Sequence, residues 1–418
     1  MITGGLAQFM NSNTAPLNRS DLQAIFDAYE SLLATPISDY CYRKKRLKVP
    51  LIPIPILESM IKEGIEVFKR EPTVLQLTSP VYVIGDLNGH LLDLLRIIQN
   101  YGSPKAQKYL FLGNIINNGE FSIETLSLIL IMKFLWPANV SIIRGVNEFR
   151  ENCLNGSFNN DLEIMYETKS LFMPFMHLFA QIPLAATIDK KILCVNGGFG
   201  PNITDLSILA AIKRPIHTFN SPILIELMWS DPTDALPMFL PSTRGFGNLY
   251  GVEAVTQFLK KIKYKMILRG RQCVDEGCQQ MFNDSLISIF SASKYCNQRN
   301  NKSGIVFVSN EHTKVIVNEP LGYLTRKDVI FTPSENENTF VLPPQQSFMN
   351  ASTSSYRLLG PKKSTARLPL QNGFRMSTTK AIETNSHGPH EQGRLLKPIQ
   401  KPRISSTQRT VSKMVLNL

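Results

Sequence analysis

A chain of 418 residues, 43% hydrophobic and 19% charged, has apolar material for one large domain or two ordinary ones, which excludes a peptide, a coiled coil or a collagen-like rod. Its formal charge of +12 would suit a nucleic-acid or membrane-surface binder if it were evenly spread. It is not: residues 341–418 hold twelve Lys and Arg against Glu383 and Glu391, a balance of +10, so the first 340 carry only about +2. Cys41, Cys153, Cys194, Cys273, Cys278 and Cys296 lie far apart with no CxxC spacing, as expected of reduced thiols in an intracellular protein, cytoplasmic or nuclear. The opening MITGGLAQFM lacks the charged and apolar regions of a signal peptide, and no apolar run approaches bilayer length. No membrane association is therefore expected.

Residues 1–17 are expected to be a flexible N-terminus. Ser20 can cap a helix from about Asp21 to Leu33, in which Ile25, Phe26, Tyr29, Leu32 and Leu33 recur at helical spacing. The basic run RKKRLK, Arg43 to Lys48, reads as a solvated linker. A second amphipathic helix follows at about 56–70. From Val81 the pattern changes to short apolar strands, each entering a turn rich in Gly, Asn and Asp. VYVIG runs into DLNGH and then LLDLLRIIQNYG; KYLFLG runs into NIINNGE and then IETLSLILIMKFLW; VSIIRG runs into VNEF. Repeated strand-turn-helix units imply parallel pairing with crossover helices, and ligands of such sheets sit beyond the carboxyl ends of the strands. A further helix begins after Leu171, and TIDKKILCVNGG reads as a hairpin about Asp189 and Lys190. The extended runs LISIFSA, GIVFVS and KVIVNE close the globule by about Pro320. Residues 335–418, rich in Ser, Thr, Pro, Asn, Gln and Lys, are expected to be a disordered basic tail. With few aromatics to stack on bases, that tail does not point to a nucleic-acid partner.

The turns carry the most specific signal. GDLNGH (Gly85 to His90), GNIINNG (Gly113 to Gly119), RGVNE (Arg144 to Glu148), VNGG (Val195 to Gly198), WSDP (Trp229 to Pro232), RGR (Arg269 to Arg271) and SASKYC (Ser291 to Cys296) follow one another in the order of the phosphoprotein phosphatase family. The chain most resembles the type-one serine/threonine catalytic subunit of that family, over about 17–320. The resemblance implies an α/β fold of the metallophosphoesterase, calcineurin-like kind, a β-sandwich of mixed sheets flanked by helices, with the phosphatase-like domain spanning 18–325. It also implies a centre of two divalent metals, manganese, iron or zinc, that activate a bridging water and polarise the phosphoryl oxygens.

Carried over residue by residue, that centre is depleted. The family writes its ligand motifs GDxHG, GDxVDRG, GNHE, HGG and RAH. Asp86 is retained, whereas the other ligand positions hold Asn88, Asn114, Val146, Asn196 and Arg271. Carboxamides are weak ligands, valine is none, and arginine offers only donors and a fixed charge. The general acid of the family becomes Asn147, the Asp that orients it Asn117, and the phosphate-clamping Arg Asn118. Arg244 and Tyr295 match residues that touch substrate phosphate, Glu148 is kept, and Trp229 and Asp231 match scaffold residues. His90, two residues beyond a vacated ligand position, is expected to be an ordinary residue at a helix start rather than a shifted ligand.

These departures lead to the expectation of a catalytically impaired pseudophosphatase with no cofactor, or at most one weakly held metal, that binds protein regulatory subunits or phosphoproteins. The alternative is an active or weakly active serine/threonine phosphatase with an altered metal site. The strands of the family's peptide-docking groove, around Ile192, Met266 and Val315 to Val317, remain apolar. Finally, without metals a buried Asp86 needs a counter-charge, so the Arg271 guanidinium is expected to reach its carboxylate.

Overall fold

The first long helix, α1 (Arg19–Leu32), starts earlier than its periodicity suggests, because Asn18 and not Ser20 supplies the cap: Asn18 Oδ1 accepts the Ser20 N–H at 3.0 Å. The computed structural model describes residues 6–7, 9–12 and 15–333, and the expected tail lies outside them. Within the segment expected to be a flexible N-terminus, Leu6, Phe9, Met10 and Leu17 pack on the main core.

After β1 (Lys48–Leu51) and α2 (Ile54–Arg70), the chain enters two sheets. The five-stranded sheet has the order β15-β14-β3-β4-β5, built from β3 (Val81–Ile84), β4 (Tyr109–Phe111), β5 (Val140–Ile142), β14 (Ser303–Val308) and β15 (Thr313–Asn318). The six-stranded sheet has the order β12-β13-β11-β7-β6-β2, built from β2 (Val74–Leu77), β6 (Ala185–Ile188), β7 (Ile192–Val195), β11 (Met266–Arg269), β12 (Cys278–Met281) and β13 (Leu286–Ile289). As the strand-turn-helix pattern predicts, β3, β4 and β5 are parallel neighbours. The crossovers are α3 (Leu91–Tyr101) and α4 (Ser122–Leu135). The predicted hairpin joins β6 to β7 antiparallel, with Asp189 and Lys190 both at φ +52°.

Period-two alternation sends each strand's side chains to two different cores. Val81, Val83, Leu110, Leu112, Cys194, Leu268, Ile287 and Ile289 fill the space between the sheets. Tyr109, Phe111 and Ile84 face the helical layer of α1 to α4, α5 (Phe158–Tyr166) and α6 (Phe172–Gln181). Leu193, Val195, Ile267 and Leu286 face a second helical layer, α7 (Pro222–Trp229) and α8 (Val252–Ile262). The expected β-sandwich of mixed sheets flanked by helices is the architecture observed.

The fold continues past the expected closure near Pro320. A strand β16 (Ile330–Pro333) pairs in parallel with β1, and Arg326 pairs with Glu124 of α4 through both terminal nitrogens, at 2.8 and 2.9 Å. The basic run is also less free than a linker. Arg43 bonds Asp328 at 2.7 Å, Lys44 bonds Asp39 at 3.0 Å, and Lys48 opens β1. A small sheet, order β8-β10-β9, contains β8 (Asp231–Pro232), β9 (Phe239–Pro241) and β10 (Asn248–Tyr250). Among the described residues no helix is long and apolar enough to cross a membrane, and the six cysteines are free thiols.

Candidate functional site

Five parallel-sheet strands deliver the ligand positions to one edge of the sandwich, each in the turn after its strand: Asp86 after β3, Asn114 after β4, Val146 after β5, Asn196 after β7 and Arg271 after β11. An isolated bridge between Asp86 and Phe290 ties the two sheets together there. The turns bend through left-handed conformations, with Asn88 at φ +45°, Asn114 at +51°, Asn117 at +70° and Asn118 at +64°. Asparagine is the side chain best suited to such backbone after glycine, since its short amide tolerates the region and bonds locally. Gly145 is required for a different reason: a Cβ there would strike the backbone nitrogen and side chain of Asn114.

Asp86 is buried and both its carboxylate oxygens accept hydrogen bonds. Oδ1 takes the Arg271 backbone N–H at 2.7 Å, and Oδ2 takes the Asn114 Nδ2–H at 2.8 Å. The Asn114 amide is oriented by both neighbours, because its Oδ1 accepts the Asn147 backbone N–H at 2.9 Å. Asn196 Oδ1 accepts from Val146 N–H at 3.3 Å and its Nδ2 donates to Leu112 O at 2.9 Å. Asn147 Nδ2 donates to Asn88 Oδ1 at 2.7 Å and to Ile116 O at 2.9 Å, and Asn118 Nδ2 reaches the same Asn88 oxygen at 3.4 Å. Asn117 faces elsewhere: its Oδ1 accepts the Phe158 N–H at the start of α5, at 3.1 Å. Five asparagines, Asn88, Asn114, Asn118, Asn147 and Asn196, therefore bond one another or the turns around a single carboxylate.

The expected Asp86–Arg271 side-chain pair does not form. Arg271 meets Asp86 through its backbone N–H, while its guanidinium lies 4.5 Å over the Trp229 ring, donates to Met228 O at 2.7 Å and pairs with Asp231 at 3.4 Å. The aromatic face and a carboxylate already bonded to other arginines hold it better than the far side of the turn does. Asp231 is shared by three guanidiniums, for it also pairs with Arg269 at 2.8 Å and with Arg244 at 3.1 Å. Among the described residues no cationic side chain contacts Asp86, and burial pushes its carboxyl up to about 7, opposed by the Arg271 N–H, the Asn114 amide and the more distant Arg269. Glu148 is likewise pushed up by burial, although it accepts the N–H groups of Asn114, Ile115 and Gly145 at 2.8–2.9 Å and so fixes the turn after β4.

His90 is a helix-start residue, as expected. Its Nδ1 is 3.0 Å from both Leu87 O and Asn88 O, its ring stacks with Tyr295 and meets Tyr323 edge-on, and its buried Nε2 has no hydrogen-bond partner among the described residues. Burial lowers its pKa, opposed by the nearby Asp93. Tyr295 stands between His90 and Phe290, and Arg244 shares no hydrogen bond with it. Two contributors escape a reading by motif. Arg269 is fully buried and closes the site through Asp231 and Gly197 O; Cys153 Sγ lies 3.0 Å from Asn147 O. The burial of Arg269 inside the RGR motif has no marker in the sequence, since arginine is ordinarily exposed.

The residues present do not fit a pair of divalent cations. One carboxylate faces the centre, and both of its oxygens are engaged by N–H donors, which repel a cation placed against them. Among the described residues no group of three or more His, Cys, Asp or Glu could hold a metal ion. What the edge does offer is hydrogen-bond donors and the half-exposed Arg244.

A β-sandwich with catalytic-type turns at one edge, flanked by helices, is the architecture of calcineurin-like phosphoesterases, and residues 79–273 match the family described by that name. The chain is serine/threonine phosphatase-like in sequence. It is 37% identical over 258 residues to serine/threonine-protein phosphatase BSL2 of Arabidopsis thaliana, covering 59% of this chain and 25% of that protein. It is 33% identical over 276 residues to the PP2A-like serine/threonine-protein phosphatase PPG1 of Candida albicans, covering 65% of this chain and 66% of that protein. The chain thus spans a quarter of the first relative's length and just under two thirds of the second's. A solved Saccharomyces cerevisiae protein serine/threonine phosphatase, described as similar to human phosphatase PP5, superposes with a TM-score of 0.62 at 23% identity. The match covers 71% of this chain and 97% of that structure and concerns the fold alone.

Proposed function

We propose that this protein is a pseudophosphatase, which uses a phosphatase scaffold to hold regulatory subunits or phosphoproteins without turning them over. The observation that carries the reading is the state of Asp86, whose two oxygens are taken by the Arg271 N–H and the Asn114 amide. A two-metal mechanism needs those oxygens, and carboxylates at their neighbours, as ligands. The general-acid position adds support, because Asn147 spends both amide hydrogens on Asn88 and Ile116 and an amide cannot protonate a leaving serine oxygen. The donors that remain suit an anion, which favours retention of a phosphorylated ligand.

The test is metal analysis of the purified full chain combined with turnover of p-nitrophenyl phosphate. The expected result is substoichiometric manganese, iron and zinc, with turnover no higher than that of Asp86→Ala. Stoichiometric metal with activity that Asp86→Ala abolishes would replace this reading with that of a weakly active serine/threonine phosphatase.

A further inference from the structure

Residues 1–340 carry only about +2 in all, yet nine of them hold six lysines and a single acid. They are 189–191, the turn from β6 into β7 with Lys190 and Lys191, and 260–265, the last turn of α8 and its exit into β11 with Lys260, Lys261, Lys263 and Lys265. The two stretches adjoin. The Lys265 N–H donates to Lys191 O at 2.8 Å, one step before the register pair Met266 and Ile192, so these two lysines stand side by side where neighbouring parallel strands begin. Lys263 ends α8 in the left-handed region at φ +62°, its N–H directed at Leu259 O and Lys260 O. The cluster lies at the amino ends of β7 and β11, whereas Asn196 and Arg271 follow their carboxyl ends. It is therefore at the opposite edge of the sandwich from Asp86.

All six lysines are exposed, and among the described residues none of their ammonium groups forms an ion pair or a hydrogen bond. The one acid of the cluster is engaged elsewhere, for Asp189 Oδ1 accepts the Ser79 N–H at 3.1 Å. Farther off, the Asp205 carboxyl is held below its ordinary value by the Ser207 N–H first and by Lys261 last. The negative end of a helix accounts for Lys260 and Lys261, which sit in the last turn of α8. It does not account for Lys191 beside Lys265, since like charges at adjoining positions of a sheet destabilise it. Neighbouring strands lie about 4.8 Å apart, so one carboxylate placed between the two ammonium groups serves both. The chemistry narrows the partner further. Neither stretch contains an arginine, and their only aromatic, Tyr264, packs on the core beneath α8, so the guanidinium forks and stacking faces of a nucleic-acid surface are lacking. None of the large apolar side chains that the described residues expose falls there either, which leaves nothing to enter a bilayer.

We propose that this edge of the sandwich docks an acidic, unphosphorylated segment of a partner protein, a run of Glu and Asp whose carboxylates supply the counter-charge between Lys191 and Lys265 and around the end of α8. The surface is separate from the Asp86 site, so loss of this docking would leave the pseudophosphatase reading to its own metal analysis. Fluorescence anisotropy of the full chain with a labelled octapeptide of Glu and Asp checks it, beside the matching octapeptide of Gln and Asn. The acidic peptide should bind, more weakly as salt is raised, and the amide peptide should not. Lys191→Glu gives Lys265 an adjoining partner and should keep or raise the urea midpoint, yet weaken the acidic peptide about fivefold. Lys265→Glu should act in the same way. Because residues 341–418 carry +10, the control is Lys362→Glu with Lys363→Glu, which should leave the affinity unchanged. No binding of the acidic peptide, equal binding of the amide peptide, or an affinity lost in the control and kept in Lys191→Glu and Lys265→Glu would overturn the proposal. Tighter binding of oligothymidylate or of phosphatidylserine vesicles, lost in Lys191→Glu, would give the surface to a nucleic acid or a bilayer and overturn it as well.

Discussion

At the scale of single residues, Asn114 decides the character of the site. Its amide donates to Asp86 and its carbonyl accepts from the Asn147 N–H, so the position is oriented as a donor toward the one carboxylate at the centre. Asn114→Asp keeps the bond to Asn147 but sets two buried acceptors against each other, with Glu148 close behind. We expect a loss of about 2–4 kcal/mol at pH 8 in urea denaturation, smaller at pH 5, where a proton can sit between the two carboxylates. No loss would show that the amide network is incidental, and recovery of the loss by added manganese would show that a metal can still enter. The positions of this network are legible in the sequence, because each motif occupies the turn after a parallel strand, where the topology collects ligands. The direction of the Arg271 side chain is not. Trp229 and Asp231 reach it only through the packing of α7 and β8 against β11, and no local pattern reports which of two carboxylates an arginine meets.

At the scale of elements, the parallel units and the hairpin at Asp189 and Lys190 follow from strong periodic runs and turn residues. The pairing of β1 with β16 does not, for two reasons. The partners are separated by most of the domain, and each tetrapeptide contains a proline, Pro50 and Pro333, which argues against a strand. What fixes this late segment is the Arg326–Glu124 pair, almost wholly enclosed at 8% and 4% side-chain exposure, with the guanidinium over Phe121 and Phe331 at 5.6 Å each. Breaking one partner of a buried pair leaves an uncompensated charge. Arg326→Met should therefore cost about 3–5 kcal/mol, and the double change Arg326→Met with Glu124→Gln should return most of it. Denaturant midpoints of the two single variants and the double variant decide the matter, since additive losses would mean that the residues act independently.

At the scale of the whole molecule, the charge that first suggests a nucleic-acid binder belongs mostly to residues beyond the described ones, and the near-neutral body encloses ionisable groups whose burial governs its response to pH. Asp86 and Asp161 are both pushed up to about 7, chiefly by burial. Asp161 is only partly enclosed as a residue, yet its Oδ2 is buried without a hydrogen-bond partner among the described residues. For such a carboxyl the folded state holds a proton that the unfolded chain, with the ordinary carboxyl value of 3.8, has already released. Stability is therefore lost as pH rises through the folded value. His90, His177 and His217 have the opposite sign. Burial lowers each of them, so they add stability as pH rises through 6.5, until the unfolded imidazoles have lost their protons. Above pH 6.5 that fading histidine gain runs against the carboxyl loss, and the two carboxyls by themselves should cost about 1.5 kcal/mol between pH 6.5 and 8. Asp161→Asn should remove roughly half of that decline whatever it does to stability at a fixed pH, because an amide has no proton to release. Urea unfolding at half-unit steps from pH 6.5 to 8 provides the comparison. A curve for Asp161→Asn parallel to that of the unaltered chain would mean that Asp161 is ionised in the fold throughout this range, with its charge balanced by Arg326 in spite of Glu124.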